Sequence, residues 1–326
     1  MANLETKYLG LTLKNPIIVS SSGITGTVDK IVEAEKNGAA AIVLKSIFEE
    51  QINHEADNYH AQGKNYAEAF DYLQGYVSAN SLNKHLSLIK EAKQAVSIPV
   101  IASINCHSGK KWIDFAKQFE EAGADALEIN LYIMPTGRAK TGSEIEKEYY
   151  SVIKKLVKKV DIPVSVKLSY QFTNMINVVD NFKAVGAKGV VMFNRFYEPD
   201  IDIDKMEMTN SHVFSHESDI RFPLRWTAII SDEVKNIDIS TSTGVHDAEG
   251  AIKMLLAGAT TVQICSVLYQ KGLGEISKII EEINLWMNQR GFDSVDVFRG
   301  LMSCKSIPDS AIYHRSQFMK YFSNFE

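Results

Sequence analysis

Two lysines and three asparagines, Lys45, Lys167, Asn105, Asn130 and Asn194, stand at or just past the ends of short apolar runs. With them come a hydroxyl-rich turn, Ser20-Ser21-Ser22-Gly23, and Ser46, which directly follows Lys45. Ammonium and amide groups gathered in one place need polar partners, because a buried charge without one is costly. Carboxylates of the chain itself are one source of partners, in a structural network, although few acids occupy the other run ends. The other source is a ligand rich in carbonyl oxygens and ring nitrogens, which would use the amides as well as the lysines. A second group of residues is suited to an anion. Thr241-Ser242-Thr243-Gly244-Val245 and Cys265-Ser266 are small and hydroxyl-bearing, and they sit where backbone N–H groups can approach a phosphate.

These residues can meet only if the runs are strands of one parallel sheet. Four segments repeat a single pattern: Asn37–Lys45, Ala122–Asn130, Val185–Asn194 and Ala257–Cys265. Each is a helix end with Gly at the cap, then a buried run closing on a polar or small residue, and Gly suits the left-handed turn that stops a helix. Eight such runs are legible: Ile17–Ser20, Ala41–Lys45, Val100–Ile104, Ala126–Asn130, Val164–Leu168, Val190–Asn194, Ile239–Ser242 and Thr261–Cys265. Helical stretches such as Val28–Lys36, Trp112–Glu121, Glu144–Lys159, Asn174–Ala184 and Ala248–Leu256 lie between them. The expected class is α/β, a (β/α)8 TIM barrel with its chemistry at the carboxyl ends of the strands and a phosphate place after strands seven and eight. An open doubly wound sheet is the alternative; it would want a dinucleotide fingerprint, of which Gly23-Ile-Thr-Gly26 is a fragment. Two connections, Ser46–Pro99 and Arg195–Asp238, are too long for plain links and are expected as lids after strands 2 and 6. Residues 1–326 read as one barrel domain, with a C-terminal tail from 306 that includes a helix around Ala311–Tyr321.

The 326 residues are 45% hydrophobic and 23% charged, which excludes a disordered chain, and the net charge of −5 leaves no electrostatic footprint for nucleic acid. Lys154, Lys155, Lys158 and Lys159 alternate with apolar residues as a solvated helix face does. Three scattered cysteines, Cys106, Cys265 and Cys304, fit a reducing cytosol. The N-terminus shows no signal-peptide pattern, and no apolar run is long enough to span a membrane. The expectation is a soluble, cytoplasmic protein.

The ordered set Asn15-Pro16, Ser21-Ser22-Gly23, Lys45-Ser46, Asn130-Leu131, Val166-Lys167-Leu168, Asn194, Thr243-Gly244-Val245 and Ala257-Gly-Ala-Thr resembles the dihydroorotate dehydrogenase family along nearly the whole chain. The resemblance implies a barrel that holds one FMN across its mouth, usually as a homodimer, and oxidises a dihydropyrimidine by hydride transfer to flavin N5. It implies backbone contacts from Ser21, Ser22 and Gly23 to the ring edge, and Lys167 beside the N1–C2=O side, where a cation favours reduction. Asn105, Asn130 and Asn194 would bind ring or substrate atoms. Lys45 would lie near the reacting centre, Thr243, Gly244, Cys265 and Ser266 would hold the phosphate, and Ser46 and Ser242 would also contact the cofactor.

One departure stands out. After the strand-four Asn-Leu the family carries a Cys or Ser base, whereas this chain reads Asn130-Leu-Tyr-Ile-Met-Pro-Thr136. Tyr132 is the nearest acid/base candidate, although a tyrosine pKa near ~10 makes a poor base without a neighbouring cation. A wall against flavin or substrate is its other role, and Cys106 is a thiol from elsewhere. The glycine-rich turn expected before helix six is replaced by Arg221-Phe-Pro-Leu-Arg225-Trp226, whose arginines could clamp a carboxylate or pair with Asp200 or Asp202. These changes bear on substrate more than cofactor. Reduction of another unsaturated carbonyl compound, a catalytically altered flavin protein, and a flavin-free Schiff-base barrel are the competing readings. His54 and His60 are spaced wrongly for one helical face, so no metal site is expected.

Overall fold

The structure is a computed structural model that describes residues 2–48, 67–106 and 111–316. Eight parallel strands close on one another: β1 (Ile17–Val19), β2 (Ala41–Val43), β3 (Val100–Cys106), β4 (Ala126–Leu131), β5 (Val164–Lys167), β6 (Gly189–Met192), β7 (Asp238–Ser242) and β8 (Thr261–Ile264). Neighbours pair in chain order, and β8 returns to β1 with Val262 opposite Ile17. The sheet therefore has no open edge, and the (β/α)8 barrel replaces the open-sheet alternative. Around it lie α1 (Val28–Lys36), α2 (Ala67–Ala95), α3 (Lys111–Glu121), α4 (Gly142–Val157), α5 (Met175–Ala184), α6 (Arg221–Glu233), α7 (Ala248–Leu256) and α8 (Glu275–Arg290).

The four repeated helix-to-strand joins are one motif. Gly38, Gly123, Gly186 and Gly258 have φ of +98°, +102°, +106° and +110°. In each, the Gly N–H donates to the carbonyl three residues back, and the following Ala N–H donates to the carbonyl five back, as in Gly38 to Glu35 and Ala39 to Ala34. That double closure satisfies helix-end carbonyls and turns the chain directly into the next strand.

A hairpin that the sequence reading did not single out, Thr6–Tyr8 paired with Leu11–Leu13, fills the amino-terminal end of the barrel. Its turn is Leu9-Gly10, both at positive φ, as tight hairpins require. Tyr8, Leu9 and Leu13 are buried in a cluster with Ile18, Ala41, Val43, Ile101 and Ala126. Leu9 N–H donates to Asp238 Oδ2 at 2.6 Å. The opposite end of the barrel is left for the mouth.

Both long connections include a barrel helix, so the inserts are shorter than the sequence spacing suggests. The first contains α2, and the rest of it beyond Phe48 lies outside the described residues, as do His54 and His60. The second ends at Arg221, where α6 begins. Residues 195–220 carry a hairpin, Pro199–Asp202 with Glu207–Asn210. Arg221 and Arg225 are exposed on α6 and pair with neither Asp200 nor Asp202; Arg221 Nε donates to Ser218 O at 2.7 Å, while Asp202 faces Lys205. Of the helix expected around Ala311–Tyr321, the described residues show one turn, Ala311–His314, and residues 317–326 lie outside the described set. Lys154 and Lys155 are exposed beside buried Ile153 and Leu156, as a solvated helix face requires. No helix among the described residues is long and apolar enough to cross a membrane.

Because the amino-terminal hairpin is the plug under the strands, Leu13→Ala should cost about 2–5 kcal/mol of stability, the range for truncating a buried leucine. Urea unfolding of the two proteins measures it, with the midpoint falling and the slope unchanged.

Candidate active site

The carboxyl ends of the strands enclose a cavity of about 590 Å³. Ten of the sequence-predicted residues line it: Ser21, Ser22, Gly23, Lys167, Asn194, Ser242, Thr243, Gly244, Cys265 and Ser266. The remaining five are placed around it. Asn130 takes a hydrogen bond from Asn194 Nδ2 at 3.0 Å. Ser46 joins Ser21 and Ser103 through hydroxyl contacts of 3.0 and 2.7 Å, a chain tying the ends of β1, β2 and β3 together. Asn105 is opposite Asn130, and Asn130 opposite Lys167, so strand register sets these three at one level. Lys45 and Tyr132 are not on the cavity lining. Lys45 is exposed, with its stem beside Gly26 and no carboxylate partner among the described residues. The side chain of Cys106 lies outside the described set.

Lys167 is 5% exposed and answers in part the question of partners. Its Nζ donates to Ser20 Oγ at 3.0 Å and Gln263 Oε1 at 3.2 Å, and it lies 3.6 Å from Glu128 Oε1. The structural network that the sequence left open is thus present at Lys167 and, among the described residues, absent at Lys45. Glu128 and Gln263 went unnoticed because neither ends its run. The available signal was a polar residue inside each otherwise apolar strand, Ala126-Leu-Glu-Ile-Asn130 and Thr261-Val-Gln-Ile264; alternation along a strand puts Glu128 on the same side as Asn130.

The turn after β1 is held by Ser22, whose Oγ accepts from Ile24 N–H at 3.3 Å while its own N–H donates to Thr25 Oγ1 at 3.2 Å. At the other side, Thr243 and Gly244 have φ of +80° and +81°, and Thr243 Oγ1 donates to Phe193 O at 3.1 Å. A Cβ on Gly244 would come within 2.1 Å of Ile220 N, so this turn is pressed against the end of the 195–220 insert. Cys265 opens the short helix Ser266–Lys271, and burial pushes its thiol pKa up, so it is a neutral lining group and not a thiolate.

Residues 195–215 contribute much of the remaining wall, including Arg195, Phe196, Tyr197 and His212. Arg195 is fastened to the insert itself: Nη2 donates to His212 O at 2.5 Å, Nε to Val213 O at 3.2 Å, and Nη1 pairs with Asp219 at 3.1 Å. Ser215 binds back to the barrel twice. Its N–H donates to Ser266 Oγ at 3.0 Å, and its hydroxyl is 2.9 Å from Nε2 of His246, a buried residue that the sequence reading passed over.

Tyr132 packs against Phe196 with ring centroids 4.3 Å apart and the rings tilted by 35°, and its hydroxyl donates to Gln171 Oε1 at 2.7 Å. Burial, reinforced by the neighbouring Tyr170, raises its pKa, so the phenol keeps its proton near neutrality.

The family model described as dihydroorotate dehydrogenase matches residues 3–287. The chain belongs to that family and is an oxidoreductase of the class that acts on CH–CH bonds. Among its relatives, the protein named dihydroorotate dehydrogenase B (NAD(+)), catalytic subunit, from Thermoplasma acidophilum is 25% identical over 92% of this chain and 99% of its own length. The protein of the same name from Pyrococcus furiosus is 27% identical over 92% of this chain and 98% of its own length.

Two outcomes follow from the geometry. Gly244→Ala should lower stability by at least ~2 kcal/mol, since it meets both a positive φ and a backbone atom; a thermal melt reads this. Burial depresses the pKa of His246 below the ordinary histidine value of 6.5. Above that value both folded and unfolded chains are neutral there, and as pH falls through it the unfolded chain takes up the proton first. Stability should therefore drop on acidification by up to ~1.4 kcal/mol per pH unit from this group. Urea midpoints at pH 7.5 and 5.5 should differ less in His246→Gln than in the wild type.

Proposed function

We propose that this chain is an FMN-dependent dehydrogenase that oxidises dihydroorotate or a related dihydropyrimidine. The observation that carries the reading is the mouth cavity itself, with the buried Lys167 ammonium and the tight Thr243-Gly244 turn on one continuous surface. A flat, carbonyl-rich ring system with a phosphate tail needs donors along one ring edge, backbone at another, and small residues around the anion. The residues fit that demand: protein atoms accept two hydrogen bonds from Lys167, and Gly23, Gly244, Cys265 and Ser266 leave room for close approach. When bound, FMN supplies the two-electron acceptor for a hydride.

The protein's own residues would then divide the work. Ser21, Ser22 and Gly23 would hold the ring edge, and Lys167 would stabilise the negative charge that develops on reduction. Asn105, Asn130 and Asn194 would bind the polar atoms of the ring or substrate, with Lys45 and Ser46 beside the reacting centre. Ser242, Thr243, Gly244, Cys265 and Ser266 would hold the phosphate. The 195–220 insert, tied to the barrel through Ser215 and braced internally by Arg195, would act as a lid that excludes water. The names of the relatives bring NAD+ forward as the first acceptor to try, and the family resemblance brings a homodimer of single-barrel chains in the cytoplasm.

A second reading rests on Tyr132. A phenol that keeps its proton is suited to donate it, which favours reduction of an unsaturated carbonyl compound over removal of a proton from a dihydropyrimidine. In the first reading Tyr132 backs Phe196, which lines the cavity, and is itself held by Gln171.

The visible spectrum of the purified protein should show flavin bands, and acid release should yield FMN. Lys167→Met should retain less FMN after gel filtration than the wild type. Under anaerobic conditions dihydroorotate should bleach the bands. Bleaching by NADH or NADPH, reversed by an enone and not by orotate, would instead favour the second reading. A colourless protein that takes up no added FMN would remove both.

A further inference from the structure

Lys167 does not stand alone behind the mouth. Glu128 and Gln263 are each 1% exposed inside the barrel. Gln263 bridges the two charges: its Oε1 accepts from Lys167 at 3.2 Å and its Nε2 donates to Glu128 Oε2 at 2.7 Å. The other carboxylate oxygen, Oε1, has no hydrogen-bond partner among the described residues and lies 3.6 Å from Lys167 Nζ, beyond ordinary hydrogen-bond reach. Glu128 is the one acid in ion-pair contact with Lys167 among the described residues. An acid that served only to bury the lysine would be expected to hydrogen-bond it directly, because a buried pair recovers its desolvation cost through good geometry. Here the acid is bonded to Gln263 instead, and the ammonium keeps its cavity-facing position with a counter-charge behind it.

We propose that Glu128 is a positioning residue that, with Gln263, tempers the charge Lys167 presents to the mouth and thereby sets the reduction potential of the bound flavin. The inference rests on the flavin reading above. Two electrons and one proton taken up by the flavin leave one added negative charge in the cavity. Lys167 favours that charge and Glu128, behind it, opposes it, so the carboxylate holds the potential lower than the lysine alone would.

The test is the two-electron midpoint potential of the FMN-loaded protein, titrated with dithionite against a reference dye. Glu128→Gln keeps the shape and removes the charge; Glu128→Met, similar in length and without a polar terminus, serves if the amide variant does not fold. The expected result is a potential raised by about 30 mV or more, a tenfold shift in the two-electron equilibrium. A melting temperature or FMN occupancy that falls while the potential stays put would show Glu128 to be structural only and would overturn the proposal. A lowered potential would overturn it too, since Lys167 would then depend on Glu128 for its charge. Wild-type protein that binds no FMN would instead remove the flavin reading, so the two failures are distinguishable.

Discussion

The closure of the parallel sheet, with β8 hydrogen-bonded to β1, is the constraint from which the rest of this molecule follows. A closed sheet leaves no backbone edge to satisfy and confines its inward side chains to a small interior. One end of that interior is filled by Tyr8, Leu9 and Leu13 from the amino-terminal hairpin. Polar side chains that point inward can therefore be served only by one another or through the mouth, and Ser20, Glu128, Lys167 and Gln263 form such a connected set.

The same closure decides what the loops can do. Because every strand delivers its carboxyl end to one side, residues far apart in sequence share one wall. Register alone brings Asn105, Asn130 and Lys167 level with one another. The insert after β6 is held against this surface by contacts that reach across the fold, from Ser215 to Ser266 and His246 and from Ile220 against Gly244. Its outer hairpin carries Ile201, Ile203, Met206 and Met208 in the open, whereas its inner residues line the cavity. The insert is thus split between a wall of the site and a free outer face.

Membership of the dihydroorotate dehydrogenase family and the altered strand-four loop pull in different directions, and both have physical content. Most of the residues that carry the resemblance lie on strand ends and on the turns after β1, β7 and β8, where the barrel geometry fixes them, and the others, Asn15-Pro16 and Ala257–Thr260, lead into β1 and β8. The departure lies in Tyr132-Ile-Met-Pro135, a loop beyond a strand end, where side chains can change without disturbing the sheet. The packing of Tyr132 against Phe196 joins that loop to the insert, so the two segments meet at one place. A change in these two segments would leave the strand ends and their register in place.

Local chemistry was legible in the sequence wherever it was short-range. The repeated Gly-Ala joins, the eight apolar runs, the helices Val28–Lys36 and Ala248–Leu256, and the grouping of small hydroxyl residues after β7 and β8 could all be read from spacing, because helix caps and strand burial act over a few residues. The tertiary structure alone decided which residues partner Lys167, that Lys45 is exposed with no acid beside it among the described residues, and that Arg195, rather than Arg221 or Arg225, is the arginine on the cavity wall. It also decided that the amino-terminal hairpin plugs the barrel. Each of these depends on contacts between residues tens to hundreds of positions apart, such as Glu128 with Gln263. Sequence spacing constrains neighbours along the chain, whereas the partner of a buried charge is chosen by where the closed sheet brings distant strands together.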